Sequence, residues 1–251
     1  MVGRRPSEAL GDREVQFRFP LPKWLPDRTA LSGLKQRVLH PGNATKARVV
    51  VAADREGVPF VVKDLLPMHP LARWTYARRV LRREERILRH LSGTPGVPEV
   101  IGRIDEDAIA IEFMDGEKVR RKWHAPLIEQ ATLDLEAKVR ELHARGVVHL
   151  DLRQHHNVLI SAAGHVSLID FESAVICRGK GPIFRTLQRM DELAVLKFKA
   201  KFAPGLLSES QRRQARRAEI LTQLWFFHRI GPLVRWLLRT RPGDEDESQT
   251  A

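Results

Sequence analysis

Strand-like runs dominate the first part of this chain and helical spacing the second, and that order limits the folds open to it. Up to residue 114 the apolar residues come in short β-branched runs around one helical stretch; beyond it they recur mostly at helical spacing. LKQRVLH, ARVVVAA and VPFVVKDL (residues 34–65) read as three strands. The DREG segment before the last of them is a hairpin signal, because glycine accepts the positive φ such turns need. VPEVIGRIDEDAIAIEFM (residues 97–114) reads as two more strands meeting at the acidic turn Asp105-Glu106-Asp107. Between these groups, residues 70–91 place Leu71, Trp74, Val80, Leu81, Ile87, Leu88 and Leu91 near helical spacing, with GTPG as a stop. The first half is therefore five strands and one helix. Residues 125–146 then carry Leu127, Ile128, Leu133, Leu135, Val139 and Leu142 on a helical pattern that closes at Gly146. LQRMDELAVLKFKAKFA and the 210s to 230s supply further helices, so the class is α+β with the sheet first.

The balance of charge narrows the partners. Lys+Arg number 43 against 31 Asp+Glu, a net +12, and such an excess favours phosphate-bearing partners: nucleotides, nucleic acid or an anionic membrane surface. Cys177 is the single cysteine, which excludes an intramolecular disulfide and a Cys-rich metal site and points to a reducing cytoplasm. The N-terminal residues lack the apolar core of a signal peptide, and the longest apolar stretch, residues 224–238, is broken by His228, Arg229, Pro232 and Arg235. A cytoplasmic protein, peripheral at most to the inner face of a membrane, is expected.

Five polar residues, in order, carry the chemistry. Lys63 ends the strand VPFVVK, Glu84 lies on the basic helix, Asp151 and Asn157 lie in HLDLRQHHN, and Asp170 lies in LIDFE. In HLDLRQHHNVLI an apolar run breaks into polar residues and returns, and an aspartate ending the apolar run SLI needs a partner or a metal. Phosphoryl transfer from ATP uses this kit: a lysine on the phosphates, a glutamate holding the lysine, and an aspartate that orients the acceptor hydroxyl and takes its proton. An asparagine and a second aspartate hold Mg²⁺.

On these residues the chain, from about Lys35 to Phe202, resembles the protein-kinase-like superfamily. Lys63 in VVK resembles the strand lysine of that superfamily, and Glu84 in EERIL its helix partner. Asp151 resembles the catalytic-loop aspartate, Asn157 the metal-binding asparagine, and Asp170-Phe171 the start of the DFG motif. IEFMDG falls where the hinge between lobes should be, so Glu112 and Met114 are the expected adenine contacts. GVVHLDLRQHHNVLI, then VSLIDFESA and the MDELAVLKFKAKFAP helix, is similar to small bacterial members: the lipopolysaccharide (Kdo-type) kinases and the RIO-like serine/threonine kinases. The resemblance implies a bilobal fold: an N-terminal arm (1–35), a β-rich N-lobe with one C-helix (36–114), a helical C-lobe without a long activation segment (115–241), and an acidic tail (242–251). It implies ATP and Mg²⁺ as cofactors and an alcohol acceptor, either a lipopolysaccharide core sugar or a protein hydroxyl.

The chain departs from the superfamily pattern in three places. The glycine-rich phosphate loop is reduced to HPGNATKARV, leaving Gly42, Asn43, Thr45 and Lys46 as the phosphate contacts. Glu172 replaces the DFG glycine, and Asn157 follows Asp151 by six residues rather than five, with His156 at the usual position. These departures motivate the alternative of a catalytically weak pseudokinase or a membrane-docked adaptor. Such an adaptor would use the helix with seven arginines between Arg73 and Arg89, and the Arg-rich segment Leu233 to Arg241. That arginine helix reads equally as a solvated face. Buried Trp225, Phe226 and Trp236 would instead close the helical half. His149, His155 and His156 could join Asp151 in a metal cluster, but no i,i+4 histidine pair is present and His149 reads better as a brace for the loop. No nucleic-acid-binding motif is present.

Overall fold

The computed structural model describes residues 25–119, 123–153, 155–177, 179 and 181–215. The expectations for Trp225, Phe226, Trp236, residues 233–251 and residues 1–24 lie outside them. Five antiparallel strands form the first half: β1 (Gln36–His40), β2 (Arg48–Ala53), β3 (Pro59–Asp64), β4 (Val100–Asp105) and β5 (Ala108–Glu112), in the order β1-β2-β3-β5-β4. Side chains alternate across a strand, and the alternation decides what faces what. Phe60 and Val62 of β3, with Ala108 and Ala110 of β5, bury one face under Leu31. Val61 and Lys63 turn to the other face, and Lys63 stands opposite Ile109 in the ladder.

Leu31 belongs to a helix, α1 (Arg28–Gly33), where the sequence predicts an arm with little structure. Asp27 caps it, accepting from the Ala30 amide, and Arg28 ties it down by bonding Asp64 at the end of β3 and Asp105 at the end of β4. Distant carboxylates thus hold a segment whose own apolar content is low.

The helix expected over residues 70–91 is interrupted. It comprises α2 (Pro70–Ala72), a π-helical turn (Arg73–Ala77) and α3 (Arg78–His90). The residue added by a π turn rotates the preceding stretch by about 100° relative to a continuous helix. Leu71 and Trp74, expected inward, are accordingly 64% and 72% exposed. Past the turn the phase is regular, and Leu81, Glu84, Leu88 and Leu91 make one buried stripe. The acidic turn of the sheet absorbs part of this segment's charge: Arg78 bonds Asp107 and Glu106. Arg89 pairs with Glu85, so the face is partly self-neutralised.

The second half is built on α4 (Ala125–Ala144) and α5 (Pro182–Phe202), which pack together. Leu133, expected inward on α4, is exposed. Short strands cross between the helices: β6 (Glu117–Lys118), β7 (Val147–Val148), β8 (Val158–Ile160), β9 (Val166–Leu168) and β10 (Val175–Ile176). β6, β8 and β9 form one sheet, and β7 pairs with β10. One apolar cluster runs from Leu81, Ile87 and Ile109 through Leu142 and Leu168 to Phe171 and Phe198, so the two halves share a core. No helix among the described residues is long and apolar enough to cross a membrane.

Gly96 fixes the seam between the halves. Its carbonyl accepts from the Leu168 amide of β9 at 2.8 Å, and its φ is +79°. A Cβ there would press on the Val166 carbonyl, which is backbone and cannot yield cheaply. Gly96→Ala is therefore expected to lower the urea midpoint by a stability loss of about 2 kcal/mol or more, with little change in slope. An unchanged midpoint would show that the seam tolerates a side chain.

Candidate active site

Period-two alternation points Lys63 toward α3, and the 3.6-residue period places Glu84 in the apolar stripe of α3 that meets it. Both residues are buried, and the Lys63 Nζ donates to Glu84 Oε1 at 2.7 Å. Two more carboxylates reach the same nitrogen: Asp170 Oδ1 at 3.1 Å and Glu172 Oε1 at 3.2 Å. Burial alone would disfavour the ammonium, but Glu84, Asp170 and Glu172 outweigh it and hold the Lys63 pKa above its ordinary value. For Glu84 burial pushes the carboxyl up; Lys63 opposes this, while Glu172 and Asp170 add to it. Glu84 Oε1 also accepts from the Phe171 amide at 3.2 Å, so α3 grips the 170s turn through one carboxylate.

That turn is shaped for the purpose. Asp170 sits at φ 64°, a left-handed conformation that aspartate tolerates better than most residues, and it leads into a 3₁₀ turn, Phe171–Ser173. Burial raises the Asp170 carboxyl, yet Lys63 more than compensates and its pKa lies below the usual range. Arg83, next to Glu84, bonds the Glu172 carbonyl. The partnership of Glu172 with Lys63 is something the sequence did not reveal.

The loop that follows β7 carries Asp151 and Asn157. Asn157 is buried, and its Nδ2 donates to Asp151 Oδ2 at 2.9 Å and to the Asp151 carbonyl at 3.1 Å. Its Oδ1 is on the other arm of the amide. Asp151 and Asp170 each feel the other loop's charged groups: Asp170 raises the Asp151 pKa, and His149 lowers that of Asp170. The Asn157 carbonyl accepts from the Ile169 amide at 3.0 Å, so the Asp151–Asn157 pair lies beside the turn that brings Asp170 to Lys63 and Glu84.

A sixth residue, missed in the sequence, supports them. Asp191 of α5 is buried, and its carboxylate accepts from the His149 amide and the Leu150 amide, each at 2.8 Å. The His143 ring adds a contact at 3.2 Å. Leu150 has φ 66°, a conformation costing about 1–2 kcal/mol for a residue with a Cβ, and the two amide bonds hold it. An acid in register with Phe184, Leu187, Val195 and Phe198 on the buried side of α5 was the available signal. His149 acts as the expected brace: its Nε2 contacts the Ile169 carbonyl at 3.2 Å, and its ring packs 4.6 Å from that of Phe171. His155 turns away against Phe198 and Phe202, so the histidines serve separate ends.

The residues predicted to touch the nucleotide elsewhere are placed as follows. Gly42, Asn43, Thr45 and Lys46 form a tight turn between β1 and β2, closed by an Asn43–Lys46 bridge and by Asn43 Oδ1 accepting from the Thr45 amide. Gly42 has φ +76°, and a Cβ there would meet the Arg48 backbone at 2.9 Å. Glu112 is buried at the end of β5, where its carboxylate accepts from the Glu99 amide; Met114 follows, half-buried, in the irregular segment between β5 and β6.

No protein-family model and no curated protein matches the chain in sequence. Solved structures do match in fold. The Rio2 kinase from Chaetomium thermophilum aligns at a TM-score of 0.56 and 18% identity, over 84% of this chain and 74% of that one. Its complex with ADP, Mg²⁺ and phosphoaspartate aligns at 0.55 and 17%, over 84% and 72%. The chain therefore has the protein-kinase-like α+β fold, an antiparallel sheet with its helix followed by a helical part. At these identities the likeness is one of fold.

Asp151 makes its own test. Its carboxyl is pushed up, chiefly by burial, while the Asn157 hydrogen bond opposes the rise. A raised native pKa means the folded protein keeps this proton to higher pH than the unfolded chain does. Ionising Asp151 therefore removes stability as pH climbs from about 4, the unfolded value, through the native one. Asp151→Asn removes that cost, so its melting temperature relative to the parent should rise between about pH 4 and pH 7. A constant or shrinking difference would contradict the burial of the charge.

Proposed function

We propose that this protein is a phosphotransferase that uses ATP and Mg²⁺ to phosphorylate an alcohol. The observation that carries the reading is the Lys63 ammonium held among Glu84, Asp170 and Glu172, with the Asp151–Asn157 pair joined to the same turn through the Ile169 amide. One ammonium against three carboxylates leaves two negative charges, which suit a divalent cation. The carboxylate of Asp170 and the amide oxygen of Asn157 are the hard oxygen ligands Mg²⁺ prefers. Bound there, Mg²⁺ supplies neutralisation of charge on the phosphates.

Lys63, oriented by Glu84, binds the α- and β-phosphates. Asp151 orients the acceptor hydroxyl and takes its proton as the new O–P bond forms and the bond to the ADP oxygen breaks. Asn157 fixes the Asp151 rotamer through the bond to Oδ2. The acceptors to which the sequence points are a lipopolysaccharide core sugar or a serine or threonine hydroxyl. The turn with Gly42, Asn43, Thr45 and Lys46 covers the phosphates, and Glu112 and Met114 flank the adenine.

A second reading rests on Glu172. Its carboxylate on Lys63 occupies the amine that would grip phosphate, which favours a pseudokinase or adaptor. A thermal-shift titration with ATP and Mg²⁺ separates the two: the phosphotransferase is stabilised and the adaptor is not. With γ-labelled ATP and fractionated cell envelope or cytosol, label should appear in one fraction. Asp151→Ala should lower that transfer by about 100- to 10,000-fold while the ATP shift survives. Equal turnover in Asp151→Ala would refute the assignment.

A further inference from the structure

The π turn between α2 and α3 carries apolar side chains outward. Leu71 and Trp74 are largely exposed, and so is Leu66 just before them. The Thr75 hydroxyl donates to the Leu71 carbonyl at 2.7 Å, which keeps Leu71 one turn from Thr75. Trp74 and Thr75 then line a groove of about 270 Å³ together with Arg78, Arg79 and Arg82. A single exposed leucine needs no explanation. A leucine and a tryptophan on one turn, with the tryptophan seated beside arginines, make a patch that does.

The arginines of this groove differ in what they face. Arg78 is neutralised by Asp107 and Glu106 of the sheet's acidic turn. Arg79 and Arg82 are exposed and have no ion-pair or hydrogen-bond partner among the described residues. Arg86, one turn further along α3, is likewise exposed and unpaired among them. At 3.6 residues per turn these three fall within about 60° of arc, so they share one face of the helix. Glu85, the nearest acid in sequence, is committed to Arg89 and Arg103. No aspartate or glutamate is among the described residues lining the groove. The face therefore combines uncompensated guanidiniums with apolar side chains that water solvates poorly.

We propose that this face docks on an anionic membrane surface, with Trp74 and Leu71 entering the headgroup region and Arg79, Arg82 and Arg86 pairing with lipid phosphates. A bilayer interface supplies both media at once: an apolar boundary for the indole and the leucine, and a layer of phosphates for planar guanidiniums. The chain's net charge of +12 draws it toward the same surface. A nucleic acid would engage the arginines and stack a base on Trp74, but it gives Leu66 and Leu71 nothing. The proposal is independent of the phosphotransfer reading, because none of these side chains belongs to the set around Lys63.

The experiment uses the full chain and two kinds of vesicle, phosphatidylcholine alone and phosphatidylcholine mixed with phosphatidylglycerol, read by co-sedimentation. Binding is expected on the mixed vesicles, weakening as salt is raised. In Arg79→Gln/Arg82→Gln the partition coefficient should fall by about tenfold or more. Trp74→Ser should lower it by about fivefold or more. These side chains are exposed, so both variants should melt with the parent. Two results overturn the proposal: no preference for the mixed vesicles, or undiminished binding in either variant, which would put the contact elsewhere in the chain. A single-stranded RNA oligonucleotide is the third probe. If the variants lose affinity for it while keeping their affinity for vesicles, the face is a nucleic-acid surface and the proposal fails.

Discussion

A buried ammonium organises this molecule. Lys63 comes from the sheet, Glu84 from the helix laid across it, and Asp170 and Glu172 from the turn of the helical half; all meet at one nitrogen. Removing such charges from water costs several kcal/mol per ion, and the cost is met only when each charge finds partners in good geometry. The ion cluster is therefore a constraint on assembly: sheet, α3 and the 170s turn must all be in place before Lys63 is satisfied. Breaking the pair from either side would strand a buried charge, so the residues that support it are as restricted as the pair itself.

The loop carrying Asp151 is held by different means. Its backbone adopts a left-handed conformation at Leu150, which an isolated loop would not keep, and Asp191 fixes it from below by accepting two consecutive amides. The carboxylate that holds the loop is buried in α5, while the one proposed to meet the acceptor is half-exposed above it. Rigid support beneath and solvent access above suit a residue that must present one oxygen atom to a passing hydroxyl.

Much of this was legible in the sequence because the signals were local. Short β-branched runs marked the five strands, and the DREG turn and the Gly146 helix end sit where glycine chemistry requires. The ordered polar set was visible because Lys63, Asp151, Asn157 and Asp170 each border an apolar run, and their order brought in Glu84 on the basic helix. What escaped depends on contacts between distant segments. The helix α1 is held by Arg28 to carboxylates 36 and 77 residues away, which composition cannot show. The π turn shifts the phase at Trp74 without any proline or glycine to mark it. Glu172 read as a missing glycine, although its side chain completes the cluster at Lys63. Asp191 belongs with these, because the amides it holds lie 41 and 42 residues earlier in the chain.

The claim on which the rest turns is that Lys63 faces the phosphates of a bound nucleotide. An acyl phosphate of ATP, which transfers its acyl group to a lysine amine lying beside the phosphates, measures this directly when the acylated peptide is found by mass spectrometry. The structure predicts modification at Lys63, suppressed by excess ATP with Mg²⁺. Modification spread over the exposed lysines, or labelling of Lys63 that ATP leaves unchanged, would contradict it.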